Sequence, residues 1–139
     1  MIKIAHESPK SIFEEVQQFT DYDYALVHLF EEDEEYLKQF KKAAVKGREI
    51  ILDNSIFELE EAFDAVKFDK WVNELKPTWY IVPDALEDAN KTCDQMEDWI
   101  NKGYGYEGSG KIGVVQGKTY DEIVDCYNYM NKTADVDMI

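Results

Sequence analysis

The sequence is short of the residues on which several common functions depend. It has a single arginine, Arg48, and 15 Lys+Arg in all against 30 Asp+Glu, a formal charge of −15. Phosphate backbones are bound through Lys and Arg with release of counterions, so nucleic-acid binding by this chain alone is disfavoured. It has two cysteines, Cys93 and Cys126, and two histidines, His6 and His28, with no CxxC or CxxH spacing. That spacing suits reduced, half-buried thiols rather than a zinc site or a disulfide framework. No apolar run of about 18 residues occurs, and MIKIAHESPK lacks a signal-peptide core. Neither a membrane span nor secretion is expected, and the protein is placed in the cytoplasm. GYGYEG at 103–108 has the GxGxxG spacing, but its glycines fit a mobile excursion more than a phosphate cradle, and GxxxxGKS is absent, so no cofactor is expected.

What is present is enough for one domain. The chain has 139 residues, 45% of them hydrophobic and 14% aromatic, a composition that excludes a disordered chain. The acids are spread over several predicted helices, as on a solvated surface.

The chain is organised around REIILDNSIFE, residues 48–58. Ile50, Ile51 and Leu52 read as a buried strand that stops on Asp53, Asn54 and Ser55. The same construction recurs where Trp79-Tyr80-Ile81-Val82 ends on Pro83-Asp84, and where the strand at 111–115 ends on Gln116-Gly117. Parallel α/β proteins keep their ligand sites at such strand ends. Strands are predicted near 1–5, 24–30, 49–53, 79–83, 111–116 and 135–139.

Helical patterns fill the intervals. Ser8-Pro9 opens one bearing Ile12, Phe13, Val16 and Phe19, and a second opens at Glu31 and closes at Gly47. Residues 59–75 read as a third, in one or two pieces, and Pro77 stops it. Asp88 or Asn90 caps a fourth, and Thr119-Tyr120-Asp121-Glu122 is a capping-box start for a fifth. The loop from Lys102 to Gly110 is expected to be flexible.

The alternation, at βαβ spacing, predicts an α/β fold with a largely parallel sheet in a single domain, residues 1–139. A doubly wound sheet and a (β/α) barrel of TIM type both fit. The barrel needs eight units, so here it would be incomplete, with about six strands. An incomplete barrel leaves open sheet edges, which predicts a homo-oligomer or a partner chain that completes it.

On one rim of such a sheet lie His6, Glu7, His28, Asp53, Asn54, Ser55, Asp84, Gln116 and Gly117. Asp after a strand also serves as a helix N-cap, and either role is open for each residue singly. Asp53, Asp84 and Gln116 together point to a ligand site. His28 interrupts an apolar run as core histidines do, and without a second ligand at spacing no metal is expected.

LDNSIFE at 52–58, VPDALED at 82–88 and GVVQGKTYDE at 113–122 resemble the tRNA-guanine transglycosylase superfamily, the queuine and archaeosine tRNA-ribosyltransferases. The likeness is closest to its small phage and prokaryotic members linked to 7-deazaguanine. The resemblance implies a TIM-type barrel, a glycosyltransferase (transferase) activity that exchanges a nucleobase within a nucleic acid, and a purine-type base or nucleotide as partner. By its motifs, Asp53 stands at the acid/base or nucleophile position and is the catalytic candidate. Asn54-Ser55 replace a Ser-Gly, and Phe57-Glu58 stand near a Phe-Gln. Asp84 matches the acid that holds the base's Watson–Crick edge, and Gln116-Gly117 match a segment that also reads the base, its second glycine here being Lys118. The implied substrate-binding residues are therefore Asn54, Ser55, Phe57, Asp84, Gln116 and Gly117. Two other readings remain beside it: a non-catalytic domain binding a base, nucleotide or protein, and a receiver-like signalling domain with Asp53 as phospho-acceptor.

Overall fold

A computed structural model describes residues 2–139. Five strands form one sheet: β1 (Ala5–His6), β2 (Tyr22–Leu26), β3 (Glu49–Asp53), β4 (Trp79–Ile81) and β5 (Gly110–Ile112). Their spatial order is their chain order, and every neighbouring pair is parallel. The helices are α1 (Phe13–Val16), α2 (Val27–Glu32), α3 (Glu34–Val45), α4 (Ile56–Leu59), α5 (Ala65–Leu75), α6 (Ala89–Asn101) and α7 (Tyr120–Lys132), with a 3-10 turn at Lys10–Ile12.

Sequential order excludes the doubly wound alternative. A doubly wound sheet reverses direction at a switch point, and a receiver-like domain needs the order 2-1-3-4-5. Neither reversal is present. Because parallel crossovers are right-handed, sequential order puts all the connecting helices on one face of the sheet. The side-chain parity agrees. Ala25, Ile50, Leu52 and Tyr80 point into a core shared with Phe30, Phe40, Phe68, Trp71, Met96 and Trp99. Tyr24, Ile51, Asp53, Trp79 and Ile81 lie on the opposite face, where each is only partly buried.

The sheet is not closed. The expected sixth strand at 135–139 amounts to one parallel bridge, Ile112 to Met138, so five strands replace the six expected. The first expected strand began at Met1, which lies outside the described residues; the pairing there is confined to Ala5–His6. The expected strand at 24–30 stops at Leu26, whose N–H is taken by the Tyr36 hydroxyl at 3.0 Å. Val27 and Phe30 then bury one face of α2. The helix expected after Pro9 shrinks to the 3-10 turn and α1, and Phe19 is exposed.

Two expected caps are present. Asp88 accepts from Lys91 N–H at 2.9 Å, and Thr119 with Glu122 forms the reciprocal capping box of α7. At the other end of the strands, Arg48 donates to buried Asp23 at 2.8 Å and to the Thr20 carbonyl at 2.9 Å. The sole arginine is thereby committed to the fold.

Candidate functional site

β4 and β5 stop at Ile81 and Ile112, short of the expected 83 and 116, and the loops that follow β3, β4 and β5 on one side of the sheet bring three of the expected residues into one hydrogen-bonded chain. Asn54 Nδ2 donates to Asp84 Oδ1 at 2.7 Å and to the Val82 carbonyl at 3.0 Å. Gln116 Nε2 donates to Asp84 Oδ2 at 2.7 Å. The Gln116 carbonyl is in turn fixed by Glu87 N–H at 3.0 Å, which orients the amide so that its NH₂ faces the carboxylate. Asp84 is 2% exposed and Asn54 1%, while Gln116 is half-buried at the surface side of the chain.

Asp53 serves the other face of the sheet. Its Oδ2 accepts from the Tyr24 hydroxyl at 2.6 Å and its Oδ1 from Ser55 N–H at 2.6 Å. Burial raises the Asp53 carboxyl above the ordinary carboxylate range against the pull of those two donors, and the nearby Glu58 and Asp84 charges add to the rise. Burial likewise raises the Tyr24 phenol well above its ordinary value. Burial thus opposes ionisation of both the Asp53 carboxyl and the Tyr24 phenol that donates to it.

The turn linking the two faces is strained. Ser55 is fully buried with φ 61, a left-handed conformation unfavourable for a residue with a Cβ. It is held by Ser55 N–H on Asp53, by Ile56 N–H on Asn54 Oδ1 at 3.0 Å, and by His28 N–H on Ser55 Oγ at 3.3 Å. Glu87, the other anchor of the chain, also has positive φ, 56. Non-glycine strain of this kind concentrates where the surrounding structure fixes a functional geometry.

The remaining expected residues fall outside the chain. Phe57 is 77% exposed. Gly117 acts through its backbone, because a Cβ there would come within 2.9 Å of Glu122 Cβ and Ile123 N at the start of α7. His6 is exposed and contacts the Glu7 carbonyl. His28 lies on α2, not on a strand, and its Nδ1 is buried without a hydrogen-bond partner. Tyr24 and the Glu87 N–H are the members that sequence reasoning missed. The only signal for Tyr24 is its register opposite Ile51, which sets it one pleat below Asp53 on the same face.

The arrangement offers a fixed acceptor flanked by two amides and, across the turn, a protonatable acid. No group of three or more acidic, histidine or cysteine side chains suited to a metal is found among the described residues. A surface cleft of ≈ 540 Å³, lined by Tyr80, Tyr104, Lys111, Asp135 and Asp137 among others, opens at the opposite, N-terminal ends of the strands. Comparisons with protein-family models, curated proteins and solved structures return no match for this chain.

Proposed function

We propose that the strand-end rim binds a planar purine base of the guanine or 7-deazaguanine kind and takes part in base exchange on a nucleic acid, in the manner of the transglycosylases its motifs resemble. The sheet is then part of a (β/α) barrel of TIM type, in keeping with its sequential parallel order. The observation that carries the reading is the Asn54–Asp84–Gln116 chain, in which a carboxylate and an oriented amide lie 2.7 Å apart. A guanine edge presents two N–H donors beside a carbonyl. Each Asp84 oxygen retains a second lone pair for those donors, and Gln116 Nε2 has a second hydrogen for the carbonyl. Asp84 is covered, so the base enters as the Gln116 side chain swings aside.

Asp53 is the general acid and base of this scheme. Held above its ordinary range by burial, it delivers a proton to the departing base and accepts one from the incoming base. Arg48 is engaged by Asp23, so phosphate contacts fall to lysines or to another chain. The unbridged thiols of Cys93 and Cys126 suit a reducing, cytoplasmic setting. A second reading, binding without exchange, draws on the burial of Asp84.

Calorimetry with guanine, 7-deazaguanine and cytosine tests the proposal. The purines should bind and cytosine should not, because its donor and acceptor order leaves buried polar groups unpaired. Gln116→Ala should weaken purine binding by about 1–3 kcal/mol. Asp53→Asn should keep the binding but stop incorporation of labelled guanine into RNA or DNA. Binding with no exchange by the unaltered protein would select the second reading, and absence of purine binding would end both.

A further inference from the structure

Cys93 lies in the second turn of α6 and Cys126 midway along α7, 33 residues apart in sequence, with their sulfur atoms 3.8 Å apart. Neither thiol has a part in the rim chemistry, and both are free. Cys126 is buried in the hydrophobic core, and its thiol also lies 3.9 Å from the Val114 carbonyl. Cys93 is partly exposed. One thiol is therefore reachable from solvent, and the second waits directly behind it.

We propose that Cys93 and Cys126 form a reversible intramolecular disulfide that staples α6 to α7. A disulfide needs sulfurs about 2.05 Å apart, so the pair, now at 3.8 Å, must close by under 2 Å. The oxidant is a low-molecular-weight disulfide of the glutathione class. The Cys93 thiolate attacks one of its sulfurs, forming a mixed disulfide and expelling one thiolate. Cys126 then loses its proton and attacks Cys93 Sγ, and the second small thiolate leaves. Two protein thiols are oxidised by two electrons, and one small disulfide is reduced to two thiols. Burial and the neighbouring Cys126 push the Cys93 thiol up to about 12, so the first step is slow near neutrality and accelerates with rising pH. The staple would join the two strand-helix units that carry Asp84 and Gln116, but its formation does not depend on any ligand of the rim.

The experiment incubates the full chain with oxidised glutathione, then unfolds it and alkylates the free thiols. The expected product is a monomer lighter by two hydrogens, with no bound glutathione and no alkylated cysteine. Its folding equilibrium should shift toward the native state by roughly 500-fold, as loop closure of this length implies, and dithiothreitol should reverse the shift. Cys126→Ala should stop at a stable glutathione adduct on Cys93. Cys93→Ser, at the less buried position, should leave Cys126 unmodified in the folded protein. The proposal is overturned if the unaltered protein keeps glutathione on Cys93, if both thiols remain open to alkylation, or if the only disulfides formed link two chains.

Discussion

Replacing Asp84 with alanine would remove the centre of the rim, and its cost can be worked from the partners left behind. Two amide-to-carboxylate hydrogen bonds of 2.7 Å are lost, and bonds to a charged group are worth about 1.5–3 kcal/mol each. The two amides then fare differently. Gln116, half-buried, can turn to water and recover most of its share. Asn54, at 1% exposure, keeps its bond to the Val82 carbonyl but is left with one buried N–H unpaired, at about 1–3 kcal/mol. Removing a buried carboxylate offsets part of the loss, so the net destabilisation should be about 2–3 kcal/mol. For a domain of this size that is a fall in Tm of about 6–12 °C. Asp84→Asn retains one acceptor and turns the other bond into a meeting of two donors, so it should cost about 1–2 kcal/mol. Urea titration followed by tryptophan fluorescence reads both, since buried Trp99 reports the core. An Asp84→Ala midpoint unchanged within about 0.5 kcal/mol, with the m-value intact, would show that the chain is not a structural element. Purine binding by Asp84→Ala must then be measured where the variant remains folded.

Two further substitutions test the electrostatics. Because burial raises the Asp53 carboxyl, the folded state binds its proton more tightly than the unfolded chain does; the stability it contributes is present below the unfolded value of about 4 and is lost as pH rises through the folded one. Asp53→Asn, which can still bond Tyr24 and Ser55, should therefore raise the urea midpoint at neutral pH, and the gain should vanish as pH falls toward about 4; a gain that persists unchanged at low pH would refute the assignment. Arg48→Ala leaves the Asp23 carboxylate, 3% exposed, with only the Gln17 amide at 2.7 Å, and should cost about 2–4 kcal/mol, whereas the double replacement Asp23→Leu/Arg48→Met should recover much of the loss in the same titration, and no recovery would mean that the pair's charges are not the source of the cost.

The parts legible in the sequence are those whose signal is local. Ile50-Ile51-Leu52 between polar flanks located β3 at Glu49–Asp53, and Thr119 with Glu122 three residues on located the start of α7. The run Tyr24 to Phe30 misled because Val27 and Phe30 fit both an apolar strand and one face of a helix. What ends the strand at Leu26 is a hydroxyl from Tyr36, ten residues away, which no local pattern carries. At the rim, Asp53 was legible as the last residue of β3, and Asp84 and Gln116 as residues following β4 and β5, although they lie three and four residues past those strands; Phe57 was not excluded, because its exposure depends on how α4 turns away after Ser55. Tyr24 went unseen because its bond to Asp53 spans 29 residues and exists only through the β2–β3 register.

That register also explains why two carboxylates on one rim have different surroundings. Along β3 the alternation sends Ile50 and Leu52 toward the helices and Ile51 and Asp53 to the open face. Asp53 is therefore met by Tyr24, the residue on β2 that shares its face. One residue later Asn54 returns to the helix side, where its amide bridges to Val82 and Asp84 at the end of the next strand. Consecutive residues of one chain thus serve opposite faces, and the left-handed Ser55 turns the backbone so that both Asp53 and Asn54 receive an N–H from the residue two positions on. A glycine at 55 would adopt that φ without strain, but it would remove the hydroxyl that accepts from His28 N–H and loosen α2 from the rim. The serine is kept at the cost of strain because it ties three elements, β3, α2 and the Asp84 chain, to one geometry. In that geometry the Asp53 carboxyl, ending β3, meets Tyr24 on the open face, while the Asp84 carboxyl, after β4, is held by Asn54 and Gln116.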